Sequence, residues 1–169
     1  MKHLRLQTDP DTRLRLSGID PVLLDCLQSL HEITDQRDAP GIRDRLFPNP
    51  TTTDNESNRD WQRLITPDLQ HLFAAAADTV AGDLARVTAD PRHKHHFQIT
   101  FPADHHAAWM SAVNQARLIL AELFTINEAD MTKTDFDLDQ PKDLAVFRIH
   151  ILGYLLELLV GHTDNEPPA

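Results

Sequence analysis

Hydrophobic and polar residues alternate in two short runs near the start of the chain. "KHLRLQ" and "RLRLS" both have period two, and "TDPDT" between them is a turn signal. The pattern predicts a β-hairpin with Leu4, Leu6, Leu14 and Leu16 on one face. Two strands alone rarely hold in water. A third alternating run, "HHFQITF", places Phe97, Ile99 and Phe101 on one face and is expected to join the hairpin.

Helical spacing dominates the remainder. In "IDPVLLDCLQSLHEI", Asp20 is the expected N-cap and Pro21 the first helical residue. "GIRDRLF" reads as a short helix ending before Pro48, residues 49–58 as a mobile polar loop, and "NRDWQRLI" as another short helix. The next helix is expected to use Thr66 as its cap, with Pro67 in its first turn. Its stripe is Leu69, Leu72, Phe73, Ala76, Val80, Leu84 and Val87. After Pro102 comes a helix with the stripe Trp109, Val113, Ala116, Leu120 and Leu123. An acidic connection follows, with one helical turn at Asn127 to Met131.

The last helix, Pro141 to Val160, is apolar almost all round and is expected at the centre of a bundle. Its apolar stretch, Leu144 to Val160, is broken by Arg148, His150 and Glu157. It falls short of the roughly 20 apolar residues that span a bilayer. Residues 163–169 are expected to be disordered. These elements predict a single α+β domain, predominantly α-helical. It is a helical bundle around a central C-terminal helix, with a two- or three-stranded antiparallel sheet.

Composition then narrows the partners. The 169 residues carry 16 Lys and Arg against 26 Asp and Glu, a net charge of -10 with neutral His. Such a surface repels phosphate backbones, so neither nucleic acid nor an anionic membrane is expected as a partner. The single cysteine, Cys26, lies in an apolar run and reads as a buried structural thiol in a reducing cytoplasm. The N-terminus lacks an apolar h-region, so no signal peptide is expected.

The segment "RHKHHFQITFPADHHAAW" raises a metal question, because it holds His93, His95, His96, His105 and His106. On a strand, His93 and His95 share the parity of Phe97, and His96 points the other way. His105 and His106 fall in the first turn of the following helix, about 100° apart. The strand's length separates the two groups. No His-Glu-x-x-His and no cysteine pair is present. A solvated histidine cluster is the favoured reading and no cofactor is expected. Zinc held by His93, His95, His105 or His106 is the alternative. "DFDLDQPKDLAV" opens like a calcium loop, but has Gln140 and Val146 where Gly and Glu are required.

No nucleophile motif, P-loop or dinucleotide fingerprint occurs, so an enzyme is not the expected class. The pointed feature is "WMSAVNQARLILAELF". Asn114 and Arg117 are three apart on one helix face, beside the apolar stripe that contains Trp109. Either they are satisfied internally, or they line a pocket and hold an anionic or peptide group. Arg63 and Tyr154 are similar in kind.

"RLFPNP…WQRLITPDL", "WMSAVNQARLILAELF" and "AVFRIHILGYLLELLV" resemble the successive blocks of an uncharacterised family of small bacterial proteins. That family is known only as a domain of unknown function, and its members are often encoded beside the ClpS-type protease adaptor. The matching positions are Arg45, Leu46, Pro48, Trp61, Arg63, Thr66, Trp109, Asn114, Arg117, Leu118 and Gly153, in order over most of the chain. The aromatics that flank the family's last glycine are represented only by Tyr154, and the histidine cluster is not part of the pattern. The resemblance implies an α-rich fold and a link to regulated proteolysis, without an activity. The function expected from all this is a cytoplasmic protein-interaction or regulatory module, with self-association through an open sheet edge as a further expectation. A metal- or small-ligand-binding protein is the alternative.

Overall fold

The computed structural model describes residues 3–163. The first hairpin forms as the alternation predicts. Strand β1 (Arg5–Thr8) pairs antiparallel with β2 (Arg13–Ile19), with Leu6 opposite Leu16. Strand β4 (Phe97–Pro102) pairs with the other edge of β2, setting Leu14 opposite Phe101 and Leu16 opposite Ile99. Leu14, Leu16, Ile99 and Phe101 are all essentially fully buried, because the shared register puts them on the one face the helices cover. A two-residue strand, β3 (Thr88–Ala89), adds a fourth member, in the order β1-β2-β4-β3. It begins one residue after Val87, which the periodicity had assigned to a helix.

A bulge between Ser17 and Ile19 bends β2. Gly18 supplies it, at φ +72, and a Cβ there would lie 2.0 Å from the carbonyl oxygen of His3. The β1 lead-in therefore crosses directly over a glycine.

Helices cover the sheet. Asp20 caps α1 (Pro21–Gln28), accepting from the Leu23 N–H at 2.8 Å. Short helices α2 (Leu30–Thr34) and α3 (Ile42–Leu46) follow. Helix α4 (Asn55–Leu64) starts earlier than expected and absorbs Asn55 to Asn58 from the anticipated loop. The cause is Asp54, whose carboxylate accepts from the Glu56 and Ser57 N–H groups. A bond from the Ser57 hydroxyl, together with those from the two N–H groups, holds its carboxyl below the usual range.

Helix α5 (Thr66–Leu84) is capped by Ile65 and not by Thr66. The Thr66 hydroxyl turns back to Trp61 O and Gln62 Oε1. The buried face of α5 is Ala76, Ala77, Val80 and Asp83, while Leu72, expected in the stripe, is 60% exposed. Helix α6 (His106–Leu123) buries Trp109, Ala112, Val113, Gln115, Ala116, Ile119 and Leu120. It packs against α2, α3, α5 and α8. Helix α7 (Glu128–Met131) is closed by a reciprocal Asn127–Asp130 capping box. Lys133–Asp143 and Lys142–Asp130 ion pairs tie the acidic connection to the start of α8.

Helix α8 (Pro141–Thr163) lies along α6 and buries Ala145, Val146, Ile149, Ile151, Leu152, Leu155 and Leu159. Tyr154, Glu157 and Val160 face outward. Pro141–His162 is long and apolar enough to cross a membrane by length and composition alone, longer than the Leu144–Val160 stretch suggests. The core helix of a domain passes the same test. The fold is thus α+β and mostly helical, with a small antiparallel sheet. The tail expected beyond Thr163 lies outside the described residues.

Candidate functional site

The five residues singled out for binding separate in space. Trp109 does not line an open surface. It is wholly buried, stacks on Phe101 with ring centroids 4.9 Å apart, and donates its indole N–H to Asp83 Oδ2 at 2.9 Å. Asp83 is itself wholly buried and also holds His105 Nδ1 at 2.9 Å and the Arg86 guanidinium. Trp109 is therefore part of a structural knot joining α5 and α6. Arg63 is exposed and paired with Asp60 at 2.9 Å, beside a shallow polar depression lined by Asn49, Asn58 and Gln62. Tyr154 is exposed on α8, one position round the helix from Gly153.

The four histidines considered for zinc also disperse. His93 stacks near His3 and His96, with ring centroids 4.7 and 5.8 Å away, and its Nδ1 donates to Asp90 Oδ2 at 3.1 Å. His95 is not on a strand but in the turn before β4, exposed, with φ 62. His105 serves Asp83. His106 Nε2 lies 3.0 Å from the carbonyl oxygen of Leu159 and its ring 5.9 Å from that of His162. Among the described residues no group of three or more His, Cys, Asp or Glu side chains is placed to hold one metal ion.

Two further titratable groups are accounted for by packing. Asp90 is 6% exposed. Burial pushes its carboxyl up, but bonds from the Arg92 N–H, the His93 ring and the Gly18 N–H outweigh that and hold it below the usual range. Cys26 is 2% exposed, and burial pushes its thiol up to about 11, so it is protonated and inert near neutral pH.

Asn114 and Arg117 do share a surface. Two adjoining depressions run between α3, α6 and α8, with Leu156 and Val160 common to both. The larger, about 680 Å³, is lined by Arg45, Met110, Asn114, Gln115 and Leu118, among others. The smaller, about 410 Å³, holds Arg117, Gly153, Glu157 and Gly161. Both volumes fall in the range of ligand sites. The helices explain why the groove is open. Gly153 leaves room on α8, and the Arg117 guanidinium lies across it, 3.6 Å from where a Cβ would stand.

Among the described residues, the side chains of Asn114, Arg117 and Arg45 make no hydrogen bond or ion pair. Arg117 Nε is buried without a partner. Gln115 is 2% exposed. Its Nε2 donates to Phe73 O at 3.3 Å and lies 3.1 Å from Ser111 Oγ, while its Oε1 is buried with nothing to accept. Buried polar atoms are normally satisfied; these two orphans lie in different depressions, Gln115 in the larger and Arg117 in the smaller, about 200° apart around α6. Arg45 and Gln115 were not read as site residues from the sequence. Arg45 arrives from α3, far along the chain. Gln115 is signalled only as a polar residue between Val113 and Ala116 in a buried row.

A further depression, about 240 Å³ between α2 and α5, is walled by Leu30, Ala77, Val80 and Leu84 and has no orphaned polar atom. It is a packing gap. No curated protein and no solved structure matches the chain. The family described as Domain of unknown function (DUF2017) matches residues 4–162, nearly the whole described fold and every residue of the groove, and the chain belongs to that family.

Proposed function

We propose that this protein is an interaction module, and that the groove between α3, α6 and α8 takes a polypeptide segment of a partner. The observation that carries this reading is the set of polar groups left over there. Among the described residues Arg117 and Asn114 have no internal partner, and Gln115 Oε1 is buried and unpaired. Polypeptide supplies both kinds of missing partner, N–H donors and carbonyl or carboxylate acceptors. The apolar walls Met110, Leu118, Leu156 and Val160 suit the side chains between them.

The single buried cysteine supports a reducing, cytoplasmic setting. A place in regulated proteolysis is supported by the family resemblance only. A photo-crosslinking residue at position 114 tests the reading in living cells, with the same residue at exposed Glu128 as control. A discrete protein adduct from position 114, lost on Arg117→Gln, is expected. Equal labelling from both positions, or none from 114, overturns the proposal.

A further inference from the structure

Resting on that interaction reading, we infer that the partner is a second copy of this chain. The two copies set their α8 helices antiparallel and exchange ion pairs between Arg117 of one copy and Glu157 of the other. The smaller depression holds both of these charges. Among the described residues neither makes a hydrogen bond or an ion pair, with the other or with any third group. The Arg117 guanidinium lies across Gly153. Glu157, exposed, stands one turn further along α8, about 6 Å up the axis. The depression therefore carries one positive and one negative charge, offset along the helix.

Such an offset is self-complementary. With a two-fold axis at the level of Leu155, level 153 of each copy faces level 157 of the other. Each guanidinium then meets the other copy's carboxylate, and the pair forms twice. Gly153 opens the space for it, because no side chain stands above its Cα where the guanidinium lies. A parallel pairing would set Glu157 against Glu157 and Arg117 against Arg117, so the charges select the closed two-fold arrangement. The contact is neutral, which matters for copies that each carry a net charge of -10.

The rest of this face is apolar and lacks cover. Helix α8 is apolar almost all round, yet only 39% of its most apolar stretch is buried by the chain's own fold. Gly153, Glu157 and Val160 fall within about 60° of one another around the helix. Tyr154 and Val160, 42% and 45% exposed, flank the charges. A lipid surface would cover the same apolar residues but leave both charges unmet. A second copy covers the one and meets the other.

Sedimentation equilibrium of the full chain tests this. The mass is expected to climb from 19.2 kDa toward twice that value as concentration rises from about 1 µM to about 1 mM. Arg117→Glu alone and Glu157→Arg alone are each expected to weaken dimerisation at least about tenfold. Mixing the two variants is expected to restore it, since both pairs across the contact are then opposite in sign. A pair within one chain could not be rebuilt by mixing. Val160→Asp, at an exposed position, gives a second disruption that leaves half-buried Arg117 in place, and is expected to be monomeric. A mass of 19.2 kDa at every concentration overturns the inference, as does a mixture no heavier than its components. Flotation with phosphatidylcholine vesicles by a chain that stays monomeric would make the face a lipid contact, and overturns it too. An adduct from position 114 at twice the chain's mass supports the second copy. An adduct to a different protein, from a chain that stays monomeric, overturns this inference and leaves the interaction reading standing, so the two failures are distinguishable.

Discussion

Trp109 donates its indole N–H to Asp83 across 2.9 Å, and both residues are wholly buried. The pair links α6 to the end of α5 where the helices meet β4, since Trp109 also stacks on Phe101. His105, 31% exposed, and Arg86, 56% exposed, complete the carboxylate's partners from the solvent side. Replacing Asp83 by Ala strands the indole N–H in the core and leaves a cavity. The expected loss is about 2–4 kcal/mol. Replacing Arg86 by Ala removes a half-exposed partner, and the expected loss is below about 1 kcal/mol. Urea denaturation of the two variants checks the ordering. An Asp83→Ala protein as stable as Arg86→Ala would mean that the knot is not structural.

Gly18 is the second point of rigidity. A methyl group there meets the His3 carbonyl carbon at 2.5 Å and its oxygen at 2.0 Å, both backbone atoms that cannot swing aside. The positive φ adds strain for any L residue. Gly18→Ala is expected to cost about 1–3 kcal/mol and to release the lead-in to β1. Hydrogen exchange should then quicken at Leu6 and Thr8. Unchanged protection of β1 would count against the close crossing.

Much of this architecture was legible in the residue pattern. Period two in "RLRLS" and "HHFQITF" specified β2 and β4 because one face of each is buried, so a slip by one residue would expose every leucine. The strand β3 was hidden because two residues carry no period. Asp54 was hidden by a polar neighbourhood that looked like loop, although Asp followed by Ser at N3 is ordinary capping chemistry. Leu72 misled in the opposite direction, since propensity and spacing say nothing of where neighbours stop. For the site, the Asn114–Arg117 pair was visible in the sequence, but its use was not. Whether a polar pair is consumed internally depends on α3 and α8, which only the fold brings to it. Asp83 had a readable signal, an acid on the same helical row as Ala76 and Val80.

Asp90 makes stability depend on acid. Its carboxyl lies below the ordinary value in the folded chain, so its contribution is complete above the unfolded carboxyl value near 3.9. It disappears as pH falls through the lower folded value. Asp90→Asn keeps one acceptor oxygen but turns an NH2 toward N–H donors from Gly18 and Arg92. The variant is expected to be about 1–3 kcal/mol less stable at pH 7. The gap to the parent should close as pH falls below about 4. Urea midpoints between pH 3 and pH 7 give the test. A gap constant over that range would remove Asp90 from the account of acid sensitivity.

Gly82 and Gly153 give the last prediction, because each occupies a helix interior where glycine is intrinsically unfavourable. A Cβ at Gly82 meets nothing within 4 Å. The three atoms nearest a Cβ at Gly153 all belong to Arg117, at 3.6 to 3.8 Å, an ordinary contact. Neither position requires a positive φ. Alanine at either should therefore stabilise by about 0.5–1 kcal/mol, raising the Tm by roughly 2–4 °C per kcal/mol for a domain of this size. The helices are different, so the two gains should add. The variants part company at the groove. Gly82→Ala leaves it untouched, whereas the methyl of Gly153→Ala occupies the space beside the Arg117 guanidinium. The crosslink from position 114 should form in the first variant as in the parent and more weakly in the second, even though both melt higher. A destabilised Gly153→Ala would show that the glycine is needed for packing. A stabilised one with undiminished crosslinking would show that the open space beside Arg117 is not where the partner sits.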